Sequence, residues 1–552
     1  MPSSESEEYN RGAKVNPFAN KTYSESIQLL VENYGDRIAL IYGDQKYTFR
    51  QIKNEIDDAS RKLRAIGLNR GDKVAIWLPN QPEFLFTWLG ASQIGLTAVI
   101  LNTRLMAEEV SYQLSQSDSR AVIVPGDGAF RDFLGDICSL CPDIRDAAPG
   151  EKFGGENVPT LEYVIALGLT GHEFRGVLQW DDVETDDDTP LAYETDPNSA
   201  ALIAYSSGTT ALPKGAMLTH AIWRKAADHG ERFFQKPDDR LYLCVPLFSI
   251  LSTVNGVITF WTGGSAVVLE DRYEPEKMLA AIERERCTAA YLLPLMIYNS
   301  VELPNFKDFD LSSLRTGVLV TTDRDAFMAA YEKLGMTEFV TSYGMTETSS
   351  ACTRTWSSDP LEVRLRSHGK PLPDIDVRIA DPDSDEEVPR GKVGEIQVRG
   401  YNIMLGYYNK PEETRRAFSG DGWYKSGDAG EMFEDGSIRF LHRLSDGYKH
   451  KGFNVSTAEV EAVLERHPDV KQAAVVGIPD KEVGEVGTAF VIPNEESSVD
   501  DETLIAFANE HLASFKVPAH LFLADGFPMT AGTEKIQKFK LRERALKQLE
   551  RT

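Results

Sequence analysis

The 552-residue chain contains only 5 cysteines, too few for a disulfide framework at this length. Cys138 and Cys141 form a single Cys-x-x-Cys motif, and no second pair of ligands follows at a spacing that suits zinc. We therefore expect two cysteines on a helix surface rather than a metal or redox site. The motifs Gly-x-Ser-x-Gly, His-Glu-x-x-His and Gly-x-Gly-x-x-Gly are also absent, which removes several common classes of enzyme.

Basic residues are scarce relative to acidic ones. The sequence has 59 Lys and Arg against 85 Asp and Glu, a formal net charge of −26. Such a field repels the phosphates of nucleic acids and the surface of anionic membranes, so neither is an expected partner. A local group of N–H donors can still bind the phosphate of a small ligand. The charge therefore favours a protein that acts on small molecules.

The sequence also lacks a clear membrane-spanning segment. The longest mostly apolar stretch, Phe84–Leu101, is interrupted by Gly90, Gln93 and Gly95. We expect a buried helix that leads into a core strand at this position. The N-terminal residues are acidic and polar, unlike a signal peptide. These features predict a cytoplasmic protein without an integral membrane segment.

The larger part of the chain alternates helical patterns with short β-branched runs. Strands are predicted at Lys73–Leu78, Thr97–Leu101 and Ala289–Leu293, and a helix is predicted to begin at Pro82. Short buried strands that alternate with helices are typical of an α/β architecture with parallel sheets.

The pattern changes in the last fifth of the chain. Helices are predicted at 457–466 and 501–511, a strand at 472–476, and a basic helix from Lys535. This segment is long enough for an independent α+β domain. We therefore expect two domains, with boundaries at 1–445 and 446–552.

The most informative segment is Tyr205–Gly215, which follows a strand predicted at Ala200–Ala204. Glycine and small hydroxyl residues allow backbone N–H groups to approach a polyphosphate, and Lys214 adds positive charge. A Walker A motif is absent, so this is a different kind of phosphate loop. Its small and hydroxyl-bearing residues are Ser206, Ser207, Gly208, Thr209 and Thr210.

This loop resembles the phosphate loop of the adenylate-forming superfamily, which includes acyl-CoA synthetases, nonribosomal-peptide adenylation domains and luciferases. Later segments resemble further motifs of that superfamily, in its order and over nearly the whole chain. They are Tyr343–Thr348 (adenine and magnesium), Gly422–Asp428 (ribose), Arg443 with Asp446 (second ribose contact and hinge), and Phe515–Pro518 with Lys535–Lys538 (catalytic lysine region).

The resemblance implies a fold and an activity. The fold is α/β: a large N-terminal domain of parallel α/β sheets plus a β-barrel-like part, with a small hinged α+β C-terminal domain. The activity is that of an AMP-forming acid–CoA ligase, which converts a fatty or other apolar carboxylic acid to acyl-AMP with Mg²⁺ and ATP, and then to a CoA thioester. Two alternatives stay open: an enzyme that loads a carrier protein, and a nucleotide-binding relative without turnover.

The resemblance also assigns the chemistry of the first step to particular residues. Lys535, Glu347 and Arg443 would be catalytic, and Glu347 with Thr209 would hold the magnesium ion. Arg443 could instead form a surface ion pair, and Lys535 could be one more lysine on a basic helix. Lys538 is a possible competitor for the role of Lys535, although the sequence after Lys535 matches the family better.

Nucleotide and CoA contacts follow from the same resemblance. Tyr343 would offer its ring to adenine, and Asp428 would accept the ribose hydroxyls. The alternatives are core packing for Tyr343 and a turn residue for Asp428. The remaining contacts implied are Gly344, Met345 and Thr346 for the nucleotide, and Lys449, Lys451 and Gly452 for CoA.

Several positions depart from the family pattern. Ala211 stands where the loop usually has glycine, Ser249 where a histidine usually lines the acyl pocket, His442 where glycine usually precedes the hinge arginine, and Glu534 where glycine usually precedes the catalytic lysine. The segments expected to set acyl specificity are 246–255, 291–300 and 316–322. The resemblance leaves both a monomer and a homodimer open.

Overall fold

A computed structural model describes most of the chain. The described residues are 16–148, 156–170, 174–186, 189–206, 213–321, 323–444, 447–450, 453–480, 483–495, 497–512, 514–529 and 536–549. They divide into two compact units. The larger unit holds most of the chain up to Asp376 together with Val398–Phe418, and the smaller unit holds Val377–Gln397 and the chain from Ser419 onward.

Strands are distributed along the whole chain. In chain order they are β1 Ile38–Tyr42, β2 Gln45–Thr48, β3 Lys73–Ile76, β4 Thr97–Ile100, β5 Ser119–Pro125, β6 Tyr163–Leu167, β7 Val177–Gln179, β8 Ala200–Ser206, β9 Lys214–Thr219, β10 Arg240–Leu243, β11 Ala266–Leu269, β12 Ala289–Leu292, β13 Thr316–Leu319, β14 Glu338–Val340, β15 Ser342–Met345, β16 Ser350–Arg354, β17 Lys370–Pro371, β18 Ile375–Ala380, β19 Val393–Gly400, β20 Gly406–Tyr407, β21 Tyr424–Met432, β22 Ile438–Arg443, β23 Tyr448–His450, β24 Phe453–Val455, β25 Val470–Asp480, β26 Gly484–Pro493 and β27 His520–Leu523.

The α-helices alternate with many of these strands. They are α1 Tyr23–Tyr34, α2 Phe49–Ala65, α3 Pro82–Gln93, α4 Ala107–Gln116, α5 Phe133–Leu140, α6 Ile222–Glu231, α7 Thr259–Thr262, α8 Pro275–Arg284, α9 Pro294–Val301, α10 Arg324–Glu332, α11 Leu361–Arg366, α12 Pro411–Arg416, α13 Thr457–Leu464, α14 Asp501–His511 and α15 Lys538–Leu549. A π-helix, Leu251–Ile258, precedes α7.

Two large sheets form the framework of the larger unit. One has the order β14-β13-β12-β10-β11-β1-β2, and the other has the order β20-β9-β8-β4-β3-β5-β6-β7. Neighbouring strands are parallel except at one edge of each sheet, where β2, β9 and β20 run antiparallel. A third sheet, β15-β16-β17, is antiparallel. The parallel α/β architecture predicted from the sequence is confirmed.

The apolar stretch that begins at Phe84 is buried inside the larger unit. Helix α3 starts with Pro82 at its first turn, a position that proline favours, and every residue of α3 except Glu83 is buried. The strand that follows, β4, is buried along its whole length. This confirms the predicted buried helix leading into a core strand. Within the described part of the chain, no helix is long and apolar enough to cross a membrane.

The prediction that both cysteines of the Cys-x-x-Cys motif lie on a helix surface is wrong for Cys141. Cys141 caps α5 and is fully buried in the core beneath the eight-stranded sheet, whereas Cys138 is half-buried. Burial raises the pKa of the Cys138 thiol to about 11 and that of Cys141 to about 12. Among the described residues, no group of three or more His, Cys, Asp or Glu side chains could hold a metal ion.

The smaller unit contains a sheet with helices on both faces. Strands β24, β23, β26 and β25 follow one another, and β27 adds to β26. Because side chains alternate along β25, Ala473 and Val475 pack with α13 and α14, whereas Ala474 and Val476 pack with α15. The α+β fold expected here is confirmed. Strand β25 is longer than predicted and α13 shorter, and the last helix begins at Lys538 rather than Lys535.

The chain between these sheets adds a four-stranded sheet with the order β18-β19-β21-β22. Strands β21 and β22 are antiparallel, and a bulge interrupts their register between Ala429 and Gly430. This pair matters for function because it carries two of the predicted ribose contacts.

Candidate active site

The predicted phosphate loop connects two paired strands. Strand β8 is parallel to β4 and antiparallel to β9, and Ser206 pairs with Lys214 where the loop begins and ends. Ligands of open α/β sheets bind at the carboxyl ends of the strands, which is where Ser206 lies. The predicted contacts Ser207, Gly208, Thr209 and Thr210, and the departure at Ala211, lie outside the described residues.

Tyr407 contacts two of the predicted site residues. The two-residue strand that contains it, β20, pairs with β9, so that Tyr407 lies opposite Ala216. Its ring centroid lies 4.5 Å from the Lys214 ammonium, a cation–π contact. Its hydroxyl donates a 2.8 Å hydrogen bond to Oε1 of Glu347. One buried tyrosine therefore holds the lysine of the phosphate loop and the predicted magnesium ligand beside each other.

Glu347 is set in a short turn between β15 and β16. Its side chain is buried, and its backbone carbonyl accepts a 2.9 Å hydrogen bond from the N–H of Met404. Among the described residues, Oε2 of Glu347 receives no hydrogen bond. This donor set fits Mg²⁺, which prefers oxygen ligands and is commonly held by one carboxylate together with substrate phosphates. Thr209, the second predicted ligand, lies outside the described residues.

The turn after Glu347 has an unusual backbone. Ser349 and Ser350 both have positive φ, 51° and 85°, which is rare for residues other than glycine. Lys225, fully buried on α6, donates hydrogen bonds of 2.5 and 2.6 Å to the carbonyls of Thr348 and Ser349. Left-handed backbone of this kind persists where surrounding contacts enforce it. Lys225 is thus a support for the turn that carries Glu347.

The predicted adenine motif lies on β15. Tyr343 is 6% exposed, and its backbone carbonyl accepts a contact from the thiol of Cys352. Gly344 has no room for a side chain, because a Cβ there would lie 2.3 Å from the Cα of Ala351. Met345 and Thr346 continue from this strand into the turn of Glu347. A role for Tyr343 with adenine stays a prediction, as do the roles of its neighbours.

The two predicted ribose residues form an ion pair in the smaller unit. Asp428 on β21 lies opposite Arg443 on β22, and Nε of Arg443 is 2.9 Å from Oδ1 of Asp428. The Asp428 carboxylate is almost fully buried, whereas the Arg443 side chain is 43% exposed. Gly427 has φ of 70°, a conformation that suits glycine and turns the strand just before Asp428. The ion pair therefore holds Arg443 beside Asp428 across β21 and β22.

The predicted CoA contacts and the catalytic lysine are mostly beyond the described residues. Lys451, Gly452 and Lys535 lie outside them, as does the side chain of Lys449, whose backbone pairs β23 with β24 opposite Asn454. Lys538 is described. Its ammonium lies 2.7 Å from Oε1 of Glu461 and donates a 2.8 Å hydrogen bond to Thr457. Lys538, the alternative candidate for the catalytic lysine, is therefore bound to residues of the smaller unit.

Sequence reasoning missed Tyr407 and Lys225. Tyr407 is 60 residues from Glu347, and Lys225 is 123 residues from Thr348. Their partners are set by the pairing of β20 with β9 and by the position of α6, which no local spacing reveals. The available signals were a tyrosine directly after Gly406 and a lysine on the otherwise buried face of α6.

Comparison with known proteins agrees with this arrangement. Residues 28–408 match the model of the AMP-binding enzyme family. The chain belongs to this family. Residues 459–533 match the AMP-binding enzyme C-terminal domain. The resemblance to the adenylate-forming superfamily is thereby confirmed.

Similar proteins cover nearly the whole of this AMP-binding enzyme. A Bacillus subtilis (strain 168) protein named acyl-CoA synthetase YngI is 34% identical over 539 residues, 96% of this chain and 97% of that protein. The Homo sapiens mitochondrial medium-chain acyl-CoA ligase ACSF2 is 30% identical over 556 residues, 97% of this chain and 89% of that protein. A crystal structure of the anthranilate CoA ligase AuaEII with anthranoyl-AMP has a TM-score of 0.80 at 26% identity, covering 96% of this chain and 98% of that one.

These comparisons fix the class of enzyme. This AMP-binding enzyme is an adenylate-forming acid–thiol ligase of the acyl- and aryl-CoA ligase family. The relatives named above differ in the acid that their names give, so the family alone leaves the acid open.

Proposed function

We propose that the protein is an AMP-forming acid–CoA ligase that acts on a fatty or other apolar carboxylic acid. Two relatives, most of whose length this chain covers, are named acyl-CoA synthetase or ligase, which supports an acyl substrate and CoA as the acceptor. A cytoplasmic location forms part of the proposal and is supported by the net charge of −26.

The observation that carries the proposal is the contact of Tyr407 with both Glu347 and Lys214. In the first step two anions must meet, because the substrate carboxylate attacks the α-phosphorus of ATP. A cation and a metal-binding carboxylate, both oriented by one buried ring, suit the neutralisation of phosphate charge. When bound, Mg²⁺ would supply further neutralisation, with Glu347 as its protein ligand.

The first step then forms one bond and breaks another. A carboxylate oxygen of the acid bonds to the α-phosphorus, and the bond from that phosphorus to pyrophosphate breaks, giving acyl-AMP. We assign Asp428 and Arg443 to the ribose, since the ion pair keeps the carboxylate in place. Lys535 is assigned to the charge that develops between the acid and ATP.

In the second step the sulfur of CoA bonds to the acyl carbon, AMP leaves, and the thiol proton is released. Lys449, Lys451 and Gly452 are proposed to meet CoA. We also propose that the boundary near residue 446 separates an N-terminal ATP- and acyl-binding domain from a mobile C-terminal domain.

Pyrophosphate release tests the proposal. The full chain is incubated with Mg-ATP and a panel of acids from acetate through dodecanoate to benzoate and cinnamate, each with and without CoA. We expect CoA-dependent turnover that is highest for one class of acid. Release that is indifferent to CoA would instead indicate transfer to a carrier protein, and no release with any acid would contradict catalysis.

Lys535 can be tested against a matched lysine. Contacts of this kind contribute roughly 3–4 kcal/mol, so Lys535→Ala should lose on the order of 100-fold or more in adenylation. Lys538→Ala serves as the control because its ammonium is engaged by Glu461. Equal losses in both variants, or acyl-AMP formation at the wild-type rate by Lys535→Ala, would contradict the assignment.

A further inference from the structure

A group of polar side chains is buried where α6, β12, β16 and the π-helix pack together. Arg354, Lys225, His229 and Tyr291 are fully buried, and Asn255 is 2% exposed. We call these five residues the buried cationic cluster. Burial, and then the charge of Arg354, lowers the pKa of His229 well below its usual value, and the same two causes contribute to the lowered pKa of Lys225. Burial lowers the pKa of Arg354 as well, but a guanidinium is not deprotonated in proteins, so Arg354 is the group that keeps its positive charge there.

Arg354 has no anionic partner among the described residues. Its nitrogens make no hydrogen bond of normal geometry with a described residue, and no carboxylate in the described part of the chain forms an ion pair with it. The guanidinium lies 4.8 Å from the ring centroid of Phe233, a contact worth about 2 kcal/mol when desolvated. Burying a charge costs several kcal/mol, so this contact alone does not offset the cost.

The nearby acidic groups cannot supply the missing charge. Burial lowers the pKa of Arg354, and the hydroxyl of Tyr291 acts in the opposite direction. Burial also raises the pKa of Tyr291 to about 12, so it stays a neutral phenol. Its proton is donated to the carbonyl of Asn255 at 2.5 Å. Asp228, a carboxylate on α6, accepts hydrogen bonds from Asn16 and Tyr401 at 2.7 and 2.6 Å. One neutral oxygen thus faces a group with five N–H donors.

The cluster lies between the nucleotide motif and the segments predicted to bind the acid. Arg354 pairs with Ser342 across β15 and β16, the strands that lead into and out of the Glu347 turn. Asn255 belongs to the predicted acyl segment 246–255 and Tyr291 to the segment 291–300. The π-helix that carries Asn255 begins two residues after Ser249, the departure at the acyl pocket. Among the described residues, Oδ1 of Asn255 also lacks a hydrogen-bond partner, as do both ring nitrogens of His229.

We propose that the buried cationic cluster is the far end of the acyl pocket, and that Arg354 binds a second carboxylate at the distal end of the acid substrate. This inference rests on the proposed function and narrows its substrate to dicarboxylic acids with an apolar chain. A carboxylate can accept two parallel hydrogen bonds from a guanidinium, and Oδ1 of Asn255 would remain for a donor or water. A monocarboxylic acid would place a methyl group against the buried charge, at a cost in binding.

The test compares matched pairs of acids. Pyrophosphate release and CoA thioester formation are measured for succinate, adipate, suberate and sebacate, and for butyrate, hexanoate, octanoate and decanoate. We expect at least one diacid to exceed its matched monoacid by roughly 30-fold or more in kcat/KM, because a site built for a polar group discriminates strongly against an analogue without it. Turnover of monoacids at equal or higher efficiency would overturn the inference and leave the proposed function intact.

Variants at Arg354 separate binding from folding. Arg354→Met should abolish the preference for the diacid and improve use of the monoacid, whereas Arg354→Lys should keep part of the preference. The matched control is Arg364→Met: Arg364 is also buried over a phenylalanine ring, but it donates to the carbonyls of Thr337 and Phe339. This control should lower stability without changing the diacid-to-monoacid ratio. A ratio that changes equally in Arg354→Met and Arg364→Met would overturn the inference.

Calorimetry provides a readout that does not depend on turnover. Suberate should bind to the wild-type chain and lose at least tenfold in affinity in Arg354→Lys, even if Arg354→Met fails to fold. If no acid releases pyrophosphate, the proposed function is contradicted, and this titration still decides whether Arg354 binds a distal carboxylate. Stabilisation by chloride with no binding of suberate would assign the cluster to a structural anion and overturn it.

Discussion

The hydroxyl of Tyr407 offers a sharp test of the candidate site. Tyr407→Phe removes one oxygen and keeps the ring, so the contact between this ring and Lys214 is retained. The change removes the 2.8 Å hydrogen bond from the Tyr407 hydroxyl to Glu347, whose side chain is buried. The Glu347 carboxylate then loses the donor that fixes its orientation.

The expected loss of activity in Tyr407→Phe follows from the charge on the acceptor of the lost hydrogen bond, the Glu347 carboxylate. A hydrogen bond to a charged group contributes about 1.5–3 kcal/mol, and each 1.4 kcal/mol corresponds to a factor of ten. We therefore expect Tyr407→Phe to lower kcat/KM for Mg-ATP in pyrophosphate release by about 10- to 150-fold. The magnesium concentration required for half-maximal rate should rise, which a purely structural role would not cause.

The neighbouring residue provides the control. The hydroxyl of Tyr408 also donates a hydrogen bond to a carboxylate, Oδ2 of Asp118, at 2.9 Å. Asp118 is remote in sequence from the turn that carries Glu347. Tyr408→Phe should change kcat/KM by less than about threefold, while both variants should unfold at similar urea concentrations. The reasoning would be refuted if the two variants lost activity equally, or if Tyr407→Phe kept the wild-type magnesium dependence.

Further predictions concern the backbone, the ribose contact and the cysteines. Gly344→Ala should lower the free energy of unfolding by about 1–3 kcal/mol and reduce adenylation, since its Cβ would meet backbone atoms at 2.3 Å. Gly420→Ala is the control: its Cβ meets nothing within 4 Å, so denaturant titrations should show no change in stability. Asp428→Asn should raise KM for ATP roughly tenfold with little change in stability, and an unchanged KM would contradict the ribose assignment. Because burial raises the pKa of Cys138 to about 11 and that of Cys141 to about 12, both thiols should stay protonated at pH 8 and resist alkylation until the chain unfolds, as mass spectrometry of labelled protein can check.

Much of the fold follows from local patterns in the sequence. The helix at 501–511 begins and ends at the residues that the pattern indicates, because its N-cap, Asp500, is a local signal. The ends of β25 and the start of the last helix differ from the prediction. Strand β25 extends because it pairs with β26 over its whole length, and pairing partners are not encoded in the strand itself.

The candidate site was predictable where it depends on contiguous motifs. Ser206, Lys214, Glu347, Asp428 and Arg443 were all predicted in this way, and their roles stay predictions. The sequence could not reveal that a tyrosine 60 residues from Glu347 orients it. Nor could it reveal that Arg354 is fully buried and has no ion-pair partner in the part of the chain that the structure describes. Both facts depend on which strands and helices meet in space. An arginine on a strand is expected to lie at the surface, because arginine is rarely fully buried.

The pairing of β20 with β9 has a consequence for protein engineering. Because Tyr407 reaches Lys214 through this pairing and Glu347 through its hydroxyl, the segments around 214–219 and 404–408 behave as one exchangeable block. A chimera with a relative whose crossover falls between these segments would combine a loop lysine from one parent with a ring from the other. Crossovers that keep both segments from the same parent should preserve the nucleotide chemistry while the acyl segments are replaced.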